Sequence, residues 1–154
     1  MYCIDTSALL HAWRRDYPPD IFGSLWDMLN SLIESRKLIA PDEVLFELER
    51  GGDDLYHWAK ERDSVFVEPD EEVQQIVKQI VDTYPNFVPQ ESSDGIWADP
   101  YIIALAKVRG LIVVTGEKAV GPGAKKAKIP NVCHDLQVEC IDFLQLLRKE
   151  GWKF

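Results

Sequence analysis

Short apolar runs alternate with longer amphipathic segments along the whole chain. Residues 2–4 are apolar and open directly onto Asp5, Thr6 and Ser7, a pattern typical of a buried strand that leads into a helix. Residues 111–115 form the clearest buried strand further along. Helices that alternate with short apolar strands predict a parallel sheet covered by helices on both faces. We therefore predict an α/β fold in which residues 1–154 form a single domain.

Helical spacing and capping residues define the other predicted elements. Pro41 is expected at the first position of a helix, where proline is favoured, and Gly51 and Gly52 are expected to end that helix. Residues 84–98 and the Gly- and Lys-rich residues 116–128 are expected to be irregular. The pattern predicts strands at 2–4, 38–40, 65–67 and 111–115, and helices at 6–15, 20–36, 41–50, 53–62, 71–83, 100–109 and 138–150.

The net charge of −9 restricts the ways in which the chain could bind nucleic acid. Proteins that bind nucleic acid through broad electrostatics are basic, so here the acidic groups would have to be concentrated at a site that metal ions neutralise. The sequence has no apolar run of membrane-spanning length and no secretory signal, which predicts a cytoplasmic protein without membrane contact. Cys3, Cys133 and Cys140 lack metal-ligand spacing and are interpreted as reduced thiols.

Asp5 lies at the carboxyl end of the first predicted strand. Ligands of open α/β folds bind just outside the carboxyl ends of the strands, so this position suits a functional carboxylate. The alternative is that Asp5 or Thr6 caps the following helix, since both residue types are good N-caps. Spacing alone leaves the two interpretations open, and what separates them is whether other carboxylates reach the same place.

Asp99 is the second candidate because it shares a helical face with the apolar residues Ile102, Ile103 and Ala106. That face must contact the sheet, so Asp99 is expected to point inward. An inward-facing acid requires a partner, a proton or a metal ion. The alternative is an N-cap role, because Pro100 would then occupy the first helical position.

Two glutamates complete the set of candidate carboxylates. Glu47 falls on one border of the apolar face of its predicted helix, but Glu49 falls on the other border, so periodicity does not choose between them. Glu117 follows the strand at 111–115 and therefore lies at a strand end, as Asp5 does. The alternative for Glu117 is an exposed loop acid paired with Lys118.

Carboxylates that meet at strand ends can bind Mg²⁺ or Mn²⁺, which are hard cations that prefer oxygen ligands. Asp94 and Asp135 lie near predicted turns and caps and are interpreted as structural. The three histidines fall in different elements and complete no catalytic triad, and the sequence contains no phosphate-binding loop motif. Among the chemistries considered, a metal-dependent reaction therefore fits the candidate residues best.

The same residues resemble those of the PIN-domain nucleases, which include the VapC-type toxins of toxin–antitoxin modules. The matching stretches span nearly the whole chain in the order found in that family, and the order is more specific than any one stretch. The departures are Glu117, where the family commonly has aspartate, and a somewhat longer chain. The matching stretches are Ile4–Leu9, Ile39–Leu48, Asp99–Ala106 and Ile112–Glu117.

The resemblance implies a three-layer α/β/α sandwich with a central, mainly parallel sheet. It also implies an endoribonuclease that uses Mg²⁺ or Mn²⁺, an RNA substrate, a cognate antitoxin partner and a potential to form homodimers. A catalytically silent PIN-like interaction module is the alternative. The implied site comprises Asp5, Glu47 in preference to Glu49, Asp99 and Glu117 as catalytic and metal-binding residues, Ser7 and Thr115 as supporting residues, and Lys118, Lys125, Lys126 and Lys128 as RNA contacts.

Overall fold

A parallel sheet forms the centre of the fold. The structure is a computed structural model and describes residues 1–87 and 97–154. The strands are β1 (Tyr2–Ile4), β2 (Leu38–Pro41), β3 (Phe66–Val67), β4 (Ile112–Val114) and β5 (Cys140–Ile141). In the described part of the chain they lie in the order β3-β2-β1-β4-β5, and every neighbouring pair is parallel.

Helices cover both faces of this sheet, as the alternating pattern predicts. Across the described residues they are α1 (Thr6–His11), α2 (Gly23–Glu34), α3 (Asp42–Gly51), α4 (Asp54–Lys60), α5 (Glu71–Thr83), α6 (Asp99–Arg109), α7 (Ile129–Asp135) and α8 (Phe143–Lys149). None of them is both long enough and apolar enough to cross a membrane.

Neighbouring residues of β1 show which helices lie on which face. The thiol of Cys3 lies against the backbone carbonyl of Ile102, in α6. Ile4 points to the other face of the sheet, where it packs in one apolar cluster with side chains of α1, α2 and α4. The three layers are therefore helix, sheet and helix, which confirms the predicted α/β fold.

The direction in which successive strands are added to the sheet reverses between β1 and β4. From β1 the chain crosses to β2 and β3 on one side, and β4 later pairs on the other side, with Ile4 in register with Val114. The backbone N–H of Asp5 donates to the carbonyl of Val114 at 2.8 Å. Residues that follow these two strands therefore lie side by side at the position where open α/β sheets bind ligands.

The last part of the chain differs from the prediction. Residues 138–150 were expected to form one helix, but Cys140–Ile141 pair with β4 as an edge strand. Asp142 then accepts a hydrogen bond from the backbone N–H of Gln145 at 2.8 Å, and the Gln145 side chain accepts one from the N–H of Asp142. This reciprocal cap starts α8 only at Phe143. Helix α7 was not predicted from the sequence either, although Pro130 in its first turn is a signal for a helix start.

Smaller corrections concern helix boundaries near the start of the chain. Pro41 is extended and ends β2, so α3 begins one residue later than expected. The helix expected at 20–36 begins only at Gly23. The helix expected at 6–15 changes after His11 into a π-helical turn, Ala12–Asp16, in which the N–H of Tyr17 donates to the carbonyl of Ala12. The three cysteines are free thiols, as predicted.

Candidate metal centre

Asp5 is the most buried of the candidate carboxylates, with 2% of its surface exposed. It occupies the N-cap position of α1, but its side chain makes no capping hydrogen bond. Its Oδ2 instead accepts hydrogen bonds from the hydroxyls of Ser7 and Thr115, the latter at 2.7 Å. A hydroxyl from the first turn of α1 and one from the end of β4 therefore hold this carboxylate in one orientation, and capping does not explain its placement.

The two hydroxyls are themselves fixed by the backbone that follows β4. The N–H of Gly116 donates to Ser7 Oγ at 3.0 Å, and the N–H of Glu117 donates to Thr115 Oγ1 at 3.1 Å. Each hydroxyl thus accepts from the main chain and donates to Asp5. Both hydroxyls are therefore fixed against Asp5, and the supporting role of Ser7 and Thr115 in a metal site stays a prediction.

Glu47 reaches the same place from α3. Its Oε1 accepts a hydrogen bond from the hydroxyl of Thr6 at 2.8 Å, while Glu49 is exposed. Asp99 lies in the first turn of α6, after the N-cap residue Ala98, so it is not the N-cap itself. The helix dipole favours an acid at this position, but the side chain also faces the other carboxylates.

Glu117 is not the free loop acid that its position after β4 allows. Its Oε2 accepts a hydrogen bond from the backbone N–H of Ile129 at 2.9 Å, and Ile129 is the first residue of α7. The side chain therefore ties the β4 end to a helix twelve residues further along. Its neighbour Lys118 is exposed and does not line the cavity that the four carboxylates share, which we call the acidic cavity.

All four predicted carboxylates line one open cavity of about 300 Å³. They come from the end of β1, the middle of α3, the start of α6 and the end of β4, which are far apart in the sequence. The cavity is lined by Asp5, Thr6, Ser7, Leu10, Glu47, Trp97, Asp99, Glu117 and Lys126.

Burial and mutual repulsion raise the pKa values of these acids. Burial raises the pKa of Asp5 to about 6, although the Ser7 and Thr115 hydroxyls oppose the shift, and the charges of Glu117 and Glu47 add to it. Burial, followed by the charges of Asp5, Glu117 and Glu47, raises the pKa of Asp99 to about 8, with Lys126 acting against the shift. Burial also raises the pKa of Glu47. Ionising the whole group without a cation is therefore unfavourable.

The donor atoms suit a hard divalent cation, since all four carboxylates offer oxygen alone. Within residues 1–87 and 97–154, however, no three Asp, Glu, His or Cys side chains already lie close enough together to hold an ion. Magnesium keeps several of its water ligands and binds proteins through one or two carboxylates. The open arrangement fits such partly hydrated binding, and Asp5 is the carboxylate that the structure holds most firmly.

The four lysines predicted as RNA contacts do not lie together. Lys126 lines the acidic cavity, whereas Lys118 lies on the other side of Glu117. Lys125 is exposed, and its backbone carbonyl accepts from Asn86 at 3.4 Å. The N–H of Lys128 donates to the Asn131 side chain at the start of α7. Of these four, only Lys126 faces the carboxylates directly.

Comparison with protein families identifies the chain at the level of its family. The family described as a domain of unknown function, DUF4411, matches residues 2–154. The chain belongs to the DUF4411 family. No match is found among curated proteins.

Two solved structures share the fold of this DUF4411 chain. The crystal structure of FitAcB from Neisseria gonorrhoeae is 19% identical, with a TM-score of 0.54, and the alignment covers 92% of this chain and 96% of that chain. The structure of FitAB bound to an IR36 DNA fragment is 17% identical, with a TM-score of 0.55, and coverage of 92% and 94%. At this identity the likeness concerns the fold, and it shows that the DUF4411 chain shares the overall α/β fold of these two structures.

Two residues of the DUF4411 site were not predicted from the sequence as site residues. Thr6 was considered only as a helix cap, but its hydroxyl orients Glu47. Trp97 lines the cavity two residues before Asp99. A threonine directly after Asp5 was a usable signal, whereas nothing in the pattern around Trp97 indicated its place. Asp94 lies outside the described residues, and Asp135 accepts a hydrogen bond from the hydroxyl of Tyr84.

Proposed function

We propose that this protein is a divalent-metal-dependent endoribonuclease in which Asp5, Glu47, Asp99 and Glu117 hold Mg²⁺ or Mn²⁺. The observation that carries the proposal is the meeting of four carboxylates from four separate segments in one cavity. Such a group destabilises the folded protein unless protons or cations compensate its charge. The PIN-like fold and the matching sequence stretches support RNA as the substrate.

The remaining site residues prepare the carboxylates for this role. Ser7 and Thr115 fix the orientation of Asp5, and Thr6 does the same for Glu47. Lys126 offers a positive charge at the rim of the cavity, where it can meet a phosphate. When bound, the cation activates water and stabilises negative charge on a phosphodiester. Among the described residues that line this cavity there is no cysteine or histidine.

The direct test is cleavage of single-stranded RNA by the purified protein. We expect cleavage with Mg²⁺ or Mn²⁺, none after a chelator is added, and recovery when the metal is restored. Metal affinity is measured in parallel by calorimetry on the wild-type protein. A protein that binds no divalent metal and cuts no RNA would instead support the catalytically silent interaction module.

We also propose that the chain acts as a toxin controlled by a cognate antitoxin. The fold likeness to FitAB and the resemblance to VapC-type toxins support this proposal. An acidic cavity suits a partner that inserts an arginine between the carboxylates and competes with the metal. We expect that expression of the chain alone arrests growth, that a co-encoded partner relieves the arrest, and that this partner weakens metal binding in calorimetry. Unchanged metal affinity in the complex would place the partner away from the cavity.

Replacing Glu117 with glutamine tests its charge separately from its anchoring bond. Glutamine keeps an oxygen that can accept from Ile129 N–H, so α7 remains attached while one negative charge is lost. We expect Glu117→Gln to lower activity by about tenfold, less than loss of Asp5 does, and to weaken metal affinity modestly. Glu117→Asp keeps the charge but is too short for the same bond.

These two variants therefore separate charge from position. Activity is measured with both metals, and manganese should restore Glu117→Gln better because it tolerates more varied geometry. Wild-type activity of Glu117→Gln with both metals would mean that Glu117 serves only to anchor α7, and that the site has three carboxylates.

A further inference from the structure

Three cavities follow one another around the carboxyl ends of β4 and β5. The first is the acidic cavity. The second, of about 270 Å³, shares Glu117 with the first, and the third, of about 310 Å³, shares Gly116 and Lys118 with the second. Because each cavity shares wall residues with the next, the three lie side by side along this edge of the sheet. A flexible strand that enters the acidic cavity has to pass these shared residues to reach the third cavity.

The third cavity, which we call the Arg15 cavity, has a composition that suits a nucleotide. Arg15 comes from the π-helical turn after α1, and Lys118 comes from the segment after β4. Tyr17 supplies a partly exposed aromatic ring, which packs on the buried ring of Phe143 with the centroids 5.6 Å apart and the planes 30° apart. Phosphate groups are bound by arginine and lysine, and bases of single-stranded nucleic acid stack on aromatic rings.

Gly116 lines the Arg15 cavity and contacts Ser7, which lines the acidic cavity. Its N–H donates to Ser7 Oγ, and one turn later on α1 His11 packs against the same glycine. A Cβ added to Gly116 would lie 2.4 Å from Nδ1 of His11, so a larger residue would have to displace the His11 side chain. The hydroxyl that orients Asp5 and part of the wall of the Arg15 cavity are therefore carried by the same helix.

Two acids also belong to the Arg15 cavity, and each already accepts a hydrogen bond from another group. Asp16 accepts two hydrogen bonds from Arg15, at 2.9 and 3.2 Å, but both side chains are exposed. Exposed pairs of this kind contribute little stability, so Arg15 is free to turn toward a phosphate. Asp142 uses its carboxylate to cap α8.

We propose that the Arg15 cavity is a subsite for an RNA nucleotide beyond the two that flank the scissile phosphate, with Arg15 and Lys118 as its phosphate contacts. This inference rests on the proposed ribonuclease function and adds the direction in which the RNA leaves the metal centre. It also gives a role to the π-helical turn, because such turns redirect side chains and are frequent at functional sites.

Binding of a short, fluorescent single-stranded RNA tests the subsite without cleavage when Asp5→Asn is used as the parent protein. We expect Arg15→Gln and Lys118→Gln each to weaken binding about 3- to 10-fold. Each should also reduce the slope of log affinity against log salt by about 0.7, as expected for one phosphate contact to a single strand. Divalent metal affinity, measured in the wild-type background, should stay unchanged.

Matched control variants come from the opposite edge of the sheet. Lys37 and Arg109 are exposed and precede β2 and β4, so they lie near the amino ends of the strands. Lys37→Gln and Arg109→Gln remove the same charges and should change RNA affinity less than about twofold. Equal effects of the subsite and control variants would overturn the subsite, because the loss would then reflect net charge alone.

Kinetics in the active protein separate the subsite from the proposed function. Arg15→Gln should raise KM for the longer RNA and leave kcat nearly unchanged, while cleavage of a dinucleotide, which is too short to reach the cavity, should be unaffected. If the wild-type protein cleaves RNA but Arg15→Gln leaves KM unchanged, the subsite is refuted and the nuclease function stands. An absence of wild-type cleavage together with Arg15-dependent RNA binding would refute the nuclease but keep the subsite.

Discussion

The Asp5→Asn variant should lose metal-dependent RNA cleavage by about 10³-fold or more. Asp5 is 2% exposed, and Oδ2 of its carboxylate accepts two hydroxyl hydrogen bonds, so its position toward the cavity is fixed. Asparagine keeps the size of the side chain and removes the charge. Cleavage of single-stranded RNA with Mg²⁺ and metal affinity by calorimetry are the measurements.

Asp70→Asn is the matched control for this substitution. Asp70 caps α5 by accepting from the N–H of Val73 at 2.9 Å, and asparagine is an equally good cap. The control should therefore keep wild-type activity and stability. Circular dichroism and thermal unfolding of both variants exclude a folding defect. If Asp5→Asn cuts RNA like the wild type while still folded, the carboxylate group is not the catalytic centre.

The Asp99→Asn variant should stabilise the metal-free protein while also abolishing activity. The pKa of Asp99 is raised to about 8 by burial and by Asp5, Glu117 and Glu47, whereas in the unfolded chain it ionises near pH 4. Between these pH values the folded protein binds a proton that the unfolded chain has released. Its free energy of unfolding therefore falls as the pH rises from about 4 to about 8.

Asparagine has no ionisable side chain, so Asp99→Asn removes the contribution of this residue to the pH dependence of the free energy of unfolding. We expect Asp99→Asn to raise the free energy of unfolding by about 2 kcal/mol at pH 8 and by much less at pH 5, in the presence of chelator. Urea unfolding at both pH values provides the measurement, again with Asp70→Asn as control. Saturating Mg²⁺ should stabilise the wild type and reduce the difference. A destabilised Asp99→Asn protein at pH 8 would mean that Asp99 is a structural acid.

The sequence was sufficient to place three of the four carboxylates, whereas Glu47 was preferred to Glu49 only through the family resemblance. Asp5 and Glu117 follow short apolar strands, β1 and β4, which pair with each other inside the sheet. Asp99 was found from the apolar face of its helix. These signals are local and strong. Because strand order reverses between β1 and β4, the residues that follow these strands lie at one place, as expected.

What the sequence could not show depends on weaker or longer-range interactions. Strand β5 has two residues and lies at an edge, and the reciprocal cap between Asp142 and Gln145 that ends it was not recognised in the sequence. The bond from Ile129 to Glu117 joins a loop acid to a helix that had not been predicted. The Arg15 cavity depends on a π-helical turn, for which the sequence carries no periodic signal.

The pairing of β1 with β4 also affects when the group of carboxylates can form during synthesis. One of the two hydroxyls that hold Asp5 belongs to Thr115, which lies 110 residues further along the chain. Contacts between such distant residues form late, because a long loop must close before they contribute free energy. A nascent chain that ends before Thr115 has its first carboxylate but not the strand that positions it. The four carboxylates can therefore reach their final arrangement only after synthesis has passed Thr115 and Glu117.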